Sequence, residues 1–437
     1  MNRNKIPSIF VAFEDVGSGR NMEVYYKTLI RSKYIFPIMA YTKKDSYINS
    51  PGWVKNKILC EIPGVDCAPK DSIKYRKHFR TYDEWYRDCI DFILILRRLF
   101  GEKTLWIVDT VFPMLEAYMG NYIIQVFHGE LFNIGSSYFE QQKIESFRRY
   151  RLMFPYGNLI KGKVIKRCGI SPDDNRLHVI GRVLNNTLYT RQISRKKVLS
   201  SYHLDPTRKT ILFAPTWCSR RIFPIGMGDQ ESINFQKLCI FAARMNANMI
   251  VRPHTILIHH YYARPKYQKI IKKFKNIYFD DTTNYSIDGP NKSLVASDVL
   301  LTDLSSISID FMSLGKPVIF LYPDKKRGLW GDGMPTFEEV SSISYTVKNI
   351  TNLYSFLSIL LTKKEEHDMI ERRKKFVSYA LSVTNGTSGK RFRRTLDIYA
   401  ERMSPLDYLN GYYLKRLWNI LTHVKSQWHM RAEITQI

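Results

Sequence analysis

Residues 298–324 read Asp298-Val-Leu-Leu-Thr-Asp-Leu-Ser-Ser-Ile-Ser-Ile-Asp-Phe-Met-Ser-Leu-Gly-Lys-Pro-Val-Ile-Phe-Leu-Tyr-Pro-Asp324, and their pattern decides the fold. Val299, Leu300 and Leu301 form a short apolar run, which suits a strand buried on both faces. Asp303 to Ser306 supply turn and N-cap chemistry. Ile307, Ile309, Phe311, Met312 and Leu314 then follow helical rather than alternating spacing, and Gly315 with Pro317 ends the helix. Val318 to Leu321 is a second apolar strand. The stretch predicts a βαβ unit with Ser305-Ser306 at the helix N-terminus, where free amides and the positive end of the dipole suit a phosphate. An ordinary capped βαβ unit that binds nothing has the same pattern, because serine is also a good cap.

Outward from this unit, strands and helices alternate along most of the 437 residues. In the first half, Ser8–Phe13, Ile35–Ala40, Lys57–Cys60, Leu105–Val108, Tyr122–Phe127, Val164–Cys168 and His178–Ile180 suggest strands. Met22–Ile30, Tyr82–Leu99 and 138–153 suggest helices. A loop with only Gly17-x-Gly19 follows the first strand and is weak evidence for a nucleotide fold. Apolar density drops over 182–209, and the pattern then restarts with Thr210–Phe213, Met249–Val251 and Ile277–Phe279 as strands and Ile233–Met245 and Tyr262–Lys275 as helices. We therefore expect an α/β protein with two Rossmann-like, doubly wound parallel sheets facing a cleft. The expected division is 1–190, 191–390 and a helical 391–437. From Leu406 on, Leu409, Tyr413, Leu417, Ile420, Leu421, Val424 and Trp428 recur at helical spacing beside Lys415, Arg416, Lys425 and Arg431. Such a helix suits a membrane surface, or docking on this protein or a partner.

Composition limits the functional classes. Hydrophobic residues make up 44% and aromatics 14%, enough for large cores. Lys and Arg number 67 against 40 Asp and Glu, a net charge of +27 that favours polyanions: nucleic acid, an anionic membrane or a phosphate-rich substrate. Nothing resembles an RNP, KH, helix-turn-helix or zinc motif, so no nucleic-acid partner is expected. The six cysteines are scattered without a C-x-x-C pair, which predicts reduced thiols in a cytosolic protein. No apolar run is long enough to span a bilayer.

Four motifs sit at predicted strand ends: Phe127-His128-Gly129-Glu130, Ala214-Pro215-Thr216-Trp217, Arg252-Pro253-His254 and Thr302-Asp303-Leu304-Ser305-Ser306. Doubly wound folds build their sites from such positions. In this order, the set resembles the CDP-glycerol glycerophosphotransferase family of teichoic-acid type glycerol and ribitol phosphate transferases. Asp310-Phe311, Lys316-Pro317, Gly181 with Asn185-Asn186-x-Leu188-Tyr189, and Asn385-Gly386 through Lys390-Arg391 extend the resemblance. Glu130, Leu184, Cys218 and Leu304 depart from the family pattern.

The resemblance implies a GT-B architecture and transfer of an alditol phosphate from a CDP-linked donor to a hydroxyl of a polymeric or lipid-linked acceptor, with release of CMP. It implies that His128 is the base and that Arg252 and His254 stabilise the leaving phosphate. Thr216, Asp303, Ser305, Ser306 and Lys316 would bind the donor, with Glu130 on the acceptor side. No metal or other cofactor is expected. Work at the anionic inner face of the cell membrane, as a peripheral cytoplasmic protein, would account for the basic surface. The departures leave room for a GT-B glycosyltransferase using a nucleotide sugar; a basic nucleic-acid-binding protein and a non-catalytic paralogue are the readings from other classes.

Overall fold

A computed structural model describes residues 6–12, 16–41, 57–59, 105–109, 123–127, 144, 147–148, 150–190, 192–215, 229–253, 265–280, 289–303, 305–321, 336–347 and 351–403. The described strands form two parallel sheets of six. The first contains β1 (Ile6–Ala12), β2 (Ile35–Tyr41), β3 (Lys57–Leu59), β4 (Leu105–Val108), β5 (Ile123–Gln125) and β6 (Leu152–Met153), in the order β3-β2-β1-β4-β5-β6. The second contains β7 (Thr210–Phe213), β8 (Asn248–Val251), β9 (Ile277–Phe279), β10 (Val299–Thr302), β11 (Val318–Leu321) and β12 (Tyr345–Val347), in the order β12-β11-β10-β7-β8-β9. Each sheet starts at a central strand, winds outward, and returns on the other side of that strand. The places where winding reverses, β1/β4 and β7/β10, are where doubly wound folds open a crevice for ligands.

The helices are α1 (Val16–Leu29), α2 (Asn158–Cys168), α3 (Asn186–Tyr189), α4 (Arg195–Ser201), α5 (Asp229–Arg244), α6 (Pro265–Ile271), α7 (Gly289–Ala296), α8 (Ile307–Met312), α9 (Phe337–Ser341), α10 (Thr351–Thr362), α11 (His367–Leu381) and α12 (Ser388–Arg402). Every residue of β7, β8, β10 and β11 is buried, as expected of strands covered on both faces. The opening βαβ unit is β10-α8-β11, and its two strands pair in parallel from Leu300↔Val318 to Thr302↔Phe320.

Three expectations for the first half need correction. The expected helix 138–153 does not run to its end, because Leu152–Met153 form β6. Val164–Cys168 is the end of helix α2, not a strand: Ile160, Val164 and Cys168 are buried at four-residue spacing, and Gly169 terminates the helix at φ 62°. His178–Ile180 runs alongside β6 without forming a full strand: the His178 and Ile180 amides donate to the Met153 and Pro155 carbonyls at 2.9 and 3.3 Å, next to a bridge between Leu177 and Met153. The expected helix 82–99 lies outside the described residues.

The chain crosses from the first half to the second through a 3-10 turn at Val183–Asn185 and helix α3. It returns after α11, and α12 then packs into the first half's core. Phe392 sits edge-on to Tyr25 and to Phe154, with ring centroids 4.8 and 5.0 Å away, and Leu396, Ala400 and Met403 join the same buried cluster. Residues 391–403 thus contribute to the core of the first half, and residues 404–437 lie outside the described set. The two crossings touch. Gly181 has φ 79°, and a Cβ there would lie 2.5 Å from Ser388 Oγ and 2.6 Å from Val383 Cβ, so only glycine fits.

Candidate active site between the two sheets

On the second sheet, the strand ends gather several of the residues expected to bind the donor. At the reversal point, Thr302 Oγ1 donates to the Ala214 carbonyl at 2.6 Å, tying the end of β10 to the end of β7. Next door, the Arg252 amide donates to the Phe213 carbonyl at 2.8 Å, so Arg252 leaves β8 beside β7. Two strand spacings put the ends of β8 and β10 about 10 Å apart, a span that a nucleoside diphosphate can bridge.

Arg252 is only 7% exposed, and its Nε lies 3.7 Å from Asp280 Oδ2 at the end of β9. Asp280 also accepts a hydrogen bond from Ser293 on α7. Burial lowers the Arg252 pKa, and the Asp280 charge offsets part of that. Tyr202 and Tyr278 stack 3.9 Å apart; burial, with Asp280 adding to it, pushes the Tyr202 phenol up to about 12. Sequence reasoning missed Asp280, which carries no motif of its own.

Asp303 follows β10 and is fully buried. Its carbonyl accepts the Ser305 amide at 2.6 Å, and the Ser305 and Ser306 carbonyls accept the amides of Ser308 and Ile309 at 3.1 and 3.2 Å. This is the tight turn expected from the sequence. Ser306 stands at the N-cap of α8 without using its side chain as a cap, and both serines are partly exposed. Arg252, Asp303, Ser305 and Ser306 therefore share one edge of the sheet. His128, Glu130, Thr216 and His254 lie outside the described residues.

Lys316 does not belong to this group, which corrects the expectation that it binds the donor. It precedes β11, and so sits at the opposite edge of the sheet. Its Nζ donates to the carbonyls of Leu294, Val295 and Ser297 at 3.0, 2.9 and 2.6 Å. These are carbonyls at and just beyond the end of α7, where a cation is favourable. Burial lowers its pKa to about 8, with Asp298 acting the other way. Lys316 is a helix-end clamp.

The first sheet presents a matching edge. Asp109 follows β4, is fully buried, and accepts from Asn21 Nδ2 on α1 at 3.1 Å. Phe127, two residues past β5, has φ 53°, a left-handed conformation that costs a bulky side chain about 1–3 kcal/mol. Its carbonyl is held by the Tyr156 hydroxyl and by Asn21 Nδ2. The preceding carbonyl, of Val126, accepts from Tyr25 Oη at 3.4 Å.

The two edges are joined by a buried ionic junction. Arg182 Nη1 pairs with Asp310 on α8, and Asn185 Nδ2 donates to the other Asp310 oxygen at 2.6 Å. Burial disfavours the Arg182 charge, but Asp310 and the neighbouring tyrosines outweigh it, so its pKa rises. Of the family-like motifs, Gly181 through Asn185 and Asp310 thus meet face to face. Among the described residues, no group of three or more His, Cys, Asp or Glu side chains could hold a metal ion.

The sequence matches the CDP-glycerol:poly(glycerophosphate) glycerophosphotransferase family over residues 95–396, well over half of the chain. The chain belongs to that family. The teichoic acid glycerol-phosphate primase of Bacillus subtilis (strain 168) is 27% identical over 163 residues, covering 36% of this chain and 37% of the primase. The aligned part is thus little over a third of that relative. In three dimensions, the wall teichoic acid polymerase TagF matches with a TM-score of 0.60 at 14% identity, covering 91% of this chain and 89% of the TagF chain. The UDP-GlcNAc 2-epimerase from Neisseria meningitidis, solved with UDP-GlcNAc, matches at 0.53 and 13% identity, covering 90% and 99%. These likenesses show a shared GT-B-like fold of two Rossmann-like sheets. This chain thus shares its architecture with an epimerase solved with a nucleotide sugar.

Proposed function

We propose that this chain transfers an alditol phosphate, glycerol phosphate or ribitol phosphate, from a CDP-linked donor to a hydroxyl of a cell-surface polymer or lipid-linked acceptor. Family membership over residues 95–396 carries the reading. The edge geometry of the second sheet supports it. The donor diphosphate would lie along the ends of β8, β7 and β10, between buried Arg252 and the hydroxyls of the partly exposed Ser305 and Ser306. A buried arginine that has already lost its hydration gains more from an arriving phosphate than a solvated one does. Thr216 and His254 extend this edge in sequence, and Asp303 shapes the turn.

In this reading, His128, next in sequence to Phe127, takes the proton from the acceptor hydroxyl. The acceptor oxygen attacks the phosphorus that carries the alditol. The new O–P bond replaces the bond to the bridging oxygen, and CMP leaves with the negative charge. Arg252, His254 and the Ser305-Ser306 turn stabilise that charge as it develops. Glu130 would orient His128 or bind an acceptor hydroxyl. The net charge of +27 fits work at an anionic membrane face beside a phosphate-rich polymer.

The test is a donor screen with radiolabelled CDP-glycerol, CDP-ribitol and common nucleotide sugars. CMP release with transfer of label to acceptor is expected. Release of UDP or CDP would establish glycosyl transfer instead and overturn the proposal.

A further inference from the structure

Phe127 marks the point where the chain leaves the first sheet; the next residue in sequence is His128. Its carbonyl is held twice, by the Tyr156 hydroxyl and by Asn21 Nδ2 at 3.3 Å. Tyr156 is fully buried, and the Arg182 guanidinium carbon lies 5.5 Å from its ring centroid. Arg182 in turn pairs with Asp310, in the first turn of α8. Asp310 is five residues beyond Ser305. A continuous line of buried side chains therefore runs from the exit of β5 in the first half to the start of α8 in the second. Its members come from four separate parts of the sequence: 127, 156, 182 and 310.

Simple adhesion between the halves does not account for where this line begins and ends. At the first end it holds a left-handed Phe127, a conformation that persists only where its surroundings over-determine it. The last sheet bond is from the Val126 amide to the Val108 carbonyl at 2.8 Å, and beyond it the side chains of Tyr25 and Tyr156 tie the successive carbonyls of Val126 and Phe127. At the second end it fixes the short helix that follows the Ser305-Ser306 turn. Apolar packing would join the halves without a tyrosine hydroxyl aimed at a strained carbonyl.

We propose that Tyr156 and Arg182 are positioning residues that hold the exit of β5 at a set distance and angle from the start of α8. They touch neither donor nor acceptor. They act through Phe127 on one side and Asp310 on the other. The inference rests on the transfer reading for what the two ends do, and on the geometry alone for the coupling between them.

Tyr156→Phe removes only the hydroxyl and is the central test, made in the full chain. With CDP-glycerol as donor, kcat for CMP release should fall roughly 10- to 100-fold, as misplacement by an ångström does, while the donor KM stays within about 2-fold. Arg182→Lys should keep the charge opposite Asp310 and show a smaller loss. The double variant should lose less than the product of the two single losses, because both act on one line. Hydrogen exchange at the Val126 amide, which donates to the Val108 carbonyl, should speed up in Tyr156→Phe without any donor present. A lower melting temperature with kcat unchanged would overturn the proposal, as would unchanged exchange. If the wild-type chain releases CMP from no donor, the transfer reading fails, and the exchange measurement still decides the positioning role.

Discussion

Arg182 and Asp310 are 128 positions apart in sequence and form a salt bridge with side chains only 10% and 6% exposed. Asn185 supports the carboxylate from the same turn as Arg182. Removing one member of such a pair strands the other charge in a dry site. Asp310→Ala is therefore expected to cost about 3–5 kcal/mol in urea unfolding. Changing both partners together, Arg182→Met with Asp310→Leu, should recover most of that, since no charge is then left buried.

Lys316→Met tests the corrected assignment. Three carbonyls at the end of α7 lose their donor, and stability is expected to fall by about 2–3 kcal/mol. The KM for a CDP-linked donor should stay at the wild-type value in the same preparation. A large rise in KM at unchanged stability would return Lys316 to the donor site.

Arg252→Gln removes the buried cation at the end of β8. Loss of such a charge-stabilising group is expected to lower kcat about 100- to 1,000-fold. Asp280→Asn leaves the guanidinium in place but less firmly held, and a milder loss is expected. Equal losses for the two variants would mean that Asp280 does more than hold Arg252.

His178 gives a pH dependence whose sign can be worked out. It packs against Phe154, ring centroids 5.9 Å apart, and burial lowers its pKa below the usual 6.5. The folded state thus prefers the neutral ring. Its contribution to stability is complete above the unfolded pKa and is lost as pH falls through the lower folded value. Melting temperatures should drop on acidification across that window, and His178→Phe should flatten the drop.

Much of the second half was legible because its strands are continuous apolar runs. Thr210–Phe213, Ile277–Phe279 and Val318–Leu321 form as expected, residue for residue. In the first half, Val164-Ile165 suggested a strand through β-branched content, while Ile160, Val164 and Cys168 carried the helical spacing that prevails. The turn at Asp303–Ser306 and the strand-end place of Arg252 were legible from motif and topology together. Lys316 was misassigned by chemistry, although a residue that precedes a parallel strand lies on the far edge from one that follows. Asn21, Tyr156 and Asp280 gave no local signal, because contacts such as Asn21 to Phe127, 106 positions apart, exist only once the sheet that carries them is built.

The return of α12 to the first half has a consequence for synthesis. Phe392, Leu396, Ala400 and Met403 share a core with Phe10, Tyr25 and Phe154. On the ribosome, the amino-terminal half emerges first yet lacks part of its own interior until residue 403 has been made. The carboxy-proximal sheet, contiguous from β7 to β12, has all its strands earlier. A nascent chain paused before residue 388 would carry an unfilled apolar trough along α1.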